Sequence, residues 1–159
     1  MLRELTPHLQ VFEGNIHVGV VRDGTRALLF DIGDGAVLDH LDGITVDTVL
    51  MTHHHRDGAC GLPRAKDAKI IVPETEQPWF ADVAASFWEA PISRWHIYNV
   101  HPHHLMLAEP VPVTGTLRDG DSLAWGPARI TAVATPGHTD GSLSYLVEID
   151  GRRIVFSGD

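Results

Sequence analysis

The sequence predicts an α/β sandwich containing at least one mixed or antiparallel sheet. Three observations carry this reading. Short β-rich runs separated by glycine turns occupy both ends of the chain. One stretch near the middle has the apolar spacing of an amphipathic helix. The elements follow the order β, β, β, α, β, α, β, α and then β, β, β, which requires both strand-on-strand and helix-on-sheet packing.

LQVFEG (9–14), NIHVGVVRDG (15–24) and TRALLFDIG (25–33) are the first strand candidates. Gly14-Asn15, Asp23-Gly24 and Gly33-Asp34-Gly35 punctuate them, and Asp-Gly between apolar runs is a hairpin signal. AVLDHLDG (36–43) has room for one or two helical turns. VDTVLMTH (46–53) is mostly apolar, as a buried strand should be. KIIVP (69–73) is another short strand. In 74–91, Trp79, Phe80, Val83, Ala84, Phe87 and Trp88 form one helical stripe, with Thr75 or Glu76 opening it, Pro78 in its first turn and Pro91 stopping it. Residues 92–117 read as loop, with Pro102, Pro110 and Pro112. DSLAWG (121–126), ARITAVAT (128–135) and SLSYLVEIDG (142–151) are three more strand candidates, and RRIVFSGD (152–159) follows across the Asp150-Gly151 turn.

The 159 residues, 43% hydrophobic and 21% charged, suffice for one domain with a core. A net charge of −9 repels phosphate backbones, so nucleic acid is not an expected partner. No stretch is apolar for the roughly 20 residues that span a bilayer, so no membrane partner is expected. The N-terminal MLRELTPHLQVFEG has no signal-peptide core, and the single Cys60 excludes an intrachain disulfide. A cytoplasmic location is the default expectation. A domain seldom ends on an uncovered core strand, so a chain stopping at Asp159 is expected to be truncated at its C-terminus.

Three segments carry chemistry. Thr52-His53-His54-His55-Arg56-Asp57-Gly58 follows an apolar strand directly. On extended backbone His53, His55 and Asp57 share one side while His54 and Arg56 take the other. Two imidazoles and a carboxylate converging at a strand end make a zinc-type nitrogen and oxygen set. The bland alternative is a polar histidine-rich loop. Thr135-Pro136-Gly137-His138 ends a second strand, where Gly137 permits a tight turn that aims His138 inward. Phe156-Ser157-Gly158-Asp159 ends a third, with Asp159 beside a flexible glycine. Alone, the last two are ordinary turns; in this order and spacing the three elements are far more specific.

That order and spacing resembles the metallo-β-lactamase superfamily, whose signature is His-x-His-x-Asp-His after a strand, then a Gly-His turn, a Gly-Asp and a last His. Phe30-Asp31-Ile32-Gly33 resembles the turn that precedes the first motif. The resemblance covers nearly the whole chain and implies an αββα sandwich, a single domain over 1–159 lacking the last part of its second half. It also implies that His53, His55 and His138 bind a first metal, that Asp159 bridges two metals, that Asp57 serves a second site and that Asp31 supports the ligands from behind. Two departures stand out. Gly58 occupies the position of the second-site histidine, and the last histidine falls outside the chain. His54 is a poor replacement because it faces the other way.

The implied cofactor is zinc, as one or two ions, with iron or manganese as alternatives. The implied activity is hydrolysis of an ester, lactone, thioester or phosphoester in a small-molecule substrate. The implied nucleophile would be a metal-bound hydroxide, since a bound ion brings the pKa of water to about 7. Asp57 is the expected catalytic carboxylate, orienting that hydroxide, holding a second ion or taking a proton. Two other readings stay open: a mononuclear-iron dioxygenase acting on a small sulfur compound, and a degenerate domain without catalysis. Residues 73–112 carry most of the aromatics and are expected to include a lid, with Trp95 and Tyr98 its best candidates. His96, His101, His103 and His104 read as a solvated loop, and Cys60 as a small buried residue. Neither substrate nor oligomeric state is legible.

Overall fold

A computed structural model describes residues 1–83 and 106–159. Seven strands form one sheet in sequence order: β1 (Leu2–Thr6), β2 (Leu9–Glu13), β3 (His17–Asp23), β4 (Arg26–Phe30), β5 (Thr45–Leu50), β6 (Lys69–Pro73) and β7 (Gly115–Leu117). The first four are antiparallel neighbours; β4 to β7 run parallel. The second sheet is antiparallel, in the order β11 (Arg152–Phe156), β10 (Leu143–Ile149), β9 (Ala128–Ala134), β8 (Ser122–Trp125).

The turn signals join antiparallel strands as expected at three sites, the first being Gly14-Asn15 between β2 and β3. Gly24 turns β3 into β4, and Asp150-Gly151 joins β10 to β11 with both residues at positive φ, 50° and 72°. Gly33-Asp34-Gly35 does something else. It leads β4 into a 3-10 helix, Ala36–His40, and β5 then returns parallel to β4.

Side-chain alternation explains the layers. Along β4, Leu28 and Phe30 enter the core between the sheets, where they join Ile130, Tyr145 and Val147. Ala27 and Leu29 face the other way, toward Val37, Leu62 and Phe80. Along β5, Leu50 goes inward between the sheets while Val49 and Met51 go outward. Both faces of the larger sheet are therefore buried at this end of β5, which is why 49–51 reads as an unbroken apolar run.

Three details differ from the sequence reading. β1 has no counterpart there; its sequence LRELT is largely exposed and lacks an apolar pattern. β7 has only three residues and lies within what reads as loop. The helix expected over 74–91 opens as a 3-10 turn, Glu74–Glu76, continues as α2 (Gln77–Ala81) and breaks at Asp82, whose φ and ψ are −143° and 72°. At the break, the Phe80 carbonyl accepts from the Val111 N–H at 2.8 Å, a bond that competes with helical pairing. The stripe beyond Val83, the residues Trp95 and Tyr98, and the histidines at 96, 101, 103 and 104 lie outside the described residues, so most of the expected lid does too. Cys60, expected to be buried, is exposed, with Sγ 3.4 Å from the Gly33 carbonyl.

Candidate metal centre

Parallel strands end at the same edge of a sheet, and ligands gather there. Strands β4 and β5 end at Phe30 and Leu50, which places the Asp31 turn beside Thr52–His55. The Asp31 N–H donates to the Leu50 carbonyl at 2.9 Å. Beyond β5 the chain bends at Thr52; His55 is extended, at φ −63° and ψ 145°, and Arg56–Ala59 then form the short helix α1. Ile32 and Gly33 both donate to the Gly58 carbonyl, at 3.1 and 2.9 Å, so the Asp31 turn holds this helix in place.

From the second sheet, the turn after β9 is held to the first motif by the Leu143 N–H, which donates to the Thr52 carbonyl at 2.9 Å. The end of β11 approaches the same residue. A Cβ on Gly158 would lie 2.6 Å from Thr52 Oγ1, and its φ is 66°, so a side chain there is excluded twice. This close approach delivers Asp159 to the edge.

Among the described residues, His53, His55 and His138 form one group whose ligand atoms all lie within 4.8 Å of one another. The rings of His53 and His138 are 4.9 Å apart between centroids, and those of His55 and His138 4.6 Å. His55 Nδ1 is 2.7 Å from His138 Nε2, so one of these nitrogens donates to the other. His53 and His55 are buried, while the His138 side chain retains 37% exposure. Asp159 Oδ2 stands 3.9 Å from His138 Nε2 and is exposed, outside the close group. Asp57 sits exposed on α1, also outside it, with Oδ1 accepting from the Gly58 N–H at 3.0 Å. His54 faces away as expected: it pairs with Glu76 and stacks on Trp79 at 4.9 Å.

The hydrogen bonds fix the proton on His53. Asp31 is buried and accepts twice from Thr52, from the backbone N–H at 2.8 Å and the hydroxyl at 2.9 Å. A hydroxyl has one proton. Spent on Asp31, it leaves Thr52 Oγ1 to accept from His53 Nδ1–H, 2.9 Å away. His53 Nε2 then carries a bare lone pair, buried and with no hydrogen-bond partner among the described residues. Burial, and then the neighbouring His138, also push the His53 pKa down, which keeps the ring neutral. Burial pushes Asp31 from 3.8 up to about 7 against the pull of both Thr52 bonds. Only ionised Asp31 enforces this proton order, so a nearby cation would reinforce it.

These residues fit a metal ion. A buried lone pair without a donor is costly unless something electrophilic meets it. Three imidazoles are a common zinc donor set. Nitrogens sharing a tetrahedral zinc at about 2.0–2.1 Å sit about 3.3 Å apart; the group spans 2.7 Å to at most 4.8 Å, within reach of small ring rotations.

The family model of the metallo-beta-lactamase superfamily matches residues 11–159. The chain belongs to the metallo-beta-lactamase superfamily. A hydroxyacylglutathione hydrolase of Bdellovibrio bacteriovorus is 29% identical over 164 residues, covering 98% of this chain and 51% of that protein. An uncharacterized protein of Mycobacterium tuberculosis is 30% identical over 160 residues, covering 91% and 66% respectively. Among solved structures, a beta-lactamase from Chitinophaga pinensis superposes with a TM-score of 0.76 at 22% identity, covering 97% of this chain and 60% of that one. A subclass B3 metallo-beta-lactamase of Bradyrhizobium japonicum gives 0.73 at 21%, covering 97% and 60%. At those identities the likeness speaks for the fold, an α/β sandwich of the metallo-beta-lactamase type. The chain spans about half to two thirds of the length of these superfamily members. Among its described residues no helix is long and apolar enough to cross a membrane.

Sequence reasoning misses two residues at this candidate site. Thr52 reads only as the residue before the histidines, although it sets the His53 proton. Glu76 reads only as a helix opener, yet it is 2% exposed. A carboxylate opening an aromatic-rich helical stripe gives no sign that it will be buried against a histidine.

Proposed function

We propose that this chain carries the metal-binding part of a hydrolase acting on a small-molecule ester, lactone, thioester or phosphoester. The observation that carries the reading is the buried Nε2 of His53, without a hydrogen-bond partner among the described residues and set among two further imidazoles. His53, His55 and His138 would hold one ion, zinc by its donor preference, with Asp159 as a further ligand. Such an ion, when bound, supplies Lewis acidity: it acidifies water and polarises a carbonyl or phosphoryl oxygen.

The chain's own residues do the rest. Asp31 and Thr52 hold the His53 ring in one tautomer. Asp57 stands next in the motif as the carboxylate that accepts a proton or steadies a second ion. With Gly58 in place of a histidine, the motifs leave Asp57 and Asp159 as second-site candidates, so one ion per chain is expected rather than two. Among the substrate classes, a thioester is favoured by the relatives named hydroxyacylglutathione hydrolase.

The test is metal content after chelator-free purification, paired with hydrolysis of an S-acyl glutathione. About one zinc per chain is expected, with both metal and activity lost in His53→Ala and in His138→Ala. Activity that survives in a metal-free double variant contradicts the proposal. Stoichiometric iron with no hydrolysis supports the dioxygenase reading instead.

A further inference from the structure

Two of the imidazoles come from the loop after β5 and the third from the turn after β9. The backbone bond from Leu143 to Thr52 fastens the far end of that turn. A second fastening comes from a third element. The Glu76 carboxylate, 2% exposed, accepts on Oε2 from the His54 backbone N–H at 2.9 Å and pairs there with His54 Nδ1. Its other oxygen, Oε1, accepts from the Gly141 N–H at 3.0 Å. One side chain thus bonds the residue between two of the histidines and a residue three positions beyond the other.

Gly141 shows how close this junction is. A Cβ there would lie 2.5 Å from Glu76 Cγ and 2.8 Å from its Oε1. The φ of Gly141 is not in the left-handed region, so its glycine is explained by contact with Glu76 rather than by backbone conformation. By contrast, His138 is exposed, with its Nε2 2.7 Å from His55 Nδ1 and 3.9 Å from Asp159 Oδ2.

We propose that Glu76 is a positioning residue of the metal centre: by bridging His54 and Gly141 it sets the distance of His138 from His53 and His55. The inference rests on the three imidazoles binding an ion. Glu76 itself touches neither the ion nor a substrate. Residues that orient metal ligands typically change metal affinity by about 10–100-fold when replaced.

The experiment titrates cobalt(II) into the metal-free full chain and records its visible absorption, which reports ligand number and geometry. The variants are Glu76→Gln, Gly141→Ala, His138→Ala and the double variant of Glu76→Gln with His138→Ala. Urea unfolding of each metal-free protein runs alongside. Glu76→Gln is expected to bind cobalt about 10–100-fold more weakly, with a spectrum approaching that of His138→Ala. In the His138→Ala background it is expected to add little further loss, because its effect runs through His138. Gly141→Ala attacks the same junction from the other side and carries the test if Glu76→Gln does not fold.

If wild type takes up no cobalt, the metal reading itself fails. If wild type binds and Glu76→Gln binds equally well with an unchanged spectrum, the positioning role is overturned. Fully additive losses in the double variant overturn it too, since they mark Glu76 as general support for the fold.

Discussion

Replacing Asp31 with asparagine isolates the one buried carboxylate behind the histidines. Burial raises this group from 3.8 to about 7 in the fold. Between those values the folded metal-free protein holds a proton at Asp31 that the unfolded chain has released. The native state therefore binds more protons than the unfolded state, and its stability falls as pH rises. Each pH unit costs about 1.4 kcal/mol, so the full span from 3.8 to about 7 costs about 4 kcal/mol. The contribution is fully present below pH 3.8 and is lost as pH passes through about 7. His53, whose pKa is lowered, opposes this trend near neutrality, so the wild-type curve alone is ambiguous. The difference between wild type and Asp31→Asn cancels that opposing part. Urea unfolding of both proteins with chelator present, from about pH 4 to pH 8, should show wild type losing about 4 kcal/mol relative to the variant. A flat or rising difference refutes the assignment of a raised pKa to Asp31. The same substitution bears on metal binding. The introduced amide would donate to Thr52 Oγ1, releasing the hydroxyl proton toward His53 Nδ1 and moving the ring proton to Nε2. Zinc affinity should fall about 10–100-fold; unchanged affinity in a competition titration would contradict the proton order described.

Two further substitutions probe separate parts of the structure. A Cβ at position 58 would meet only Asp31 Cγ and Oδ1, at 3.9 Å, so Gly58→His has room at its base and should raise the metal content above one ion per chain by elemental analysis. Tyr145 is fully buried and donates to the Met51 carbonyl at 2.7 Å just before the histidine motif; Tyr145→Phe should cost about 1–3 kcal/mol in urea unfolding.

The sequence conveys the layers better than it conveys the supports of the site. Apolar runs such as 49–51 and the Asp23-Gly24 and Asp150-Gly151 turns state their structure locally, because burial on two faces and positive φ each demand particular residues. β1 and β7 are edge strands, short or largely exposed, so pairing rather than pattern defines them. The metal reading begins with histidine spacing and needs the fold only to bring His138 across. Nothing local could show that Asp57 would ride on α1, because the helix begins directly after the extended His55 and ends the alternation on which the reading relied. Glu76 is illegible for a related reason: a carboxylate's burial depends on a donor 65 residues away, at Gly141.

Long-range proton–nitrogen correlation spectra of the imidazoles during a zinc titration test convergence on one ion most directly. Above about pH 7, where Asp31 is ionised, His53 should begin as the Nδ1–H tautomer, and the rings of residues 53, 55 and 138 should shift together and saturate at a single equivalent. Saturation of other histidines with these three rings unmoved would contradict the account.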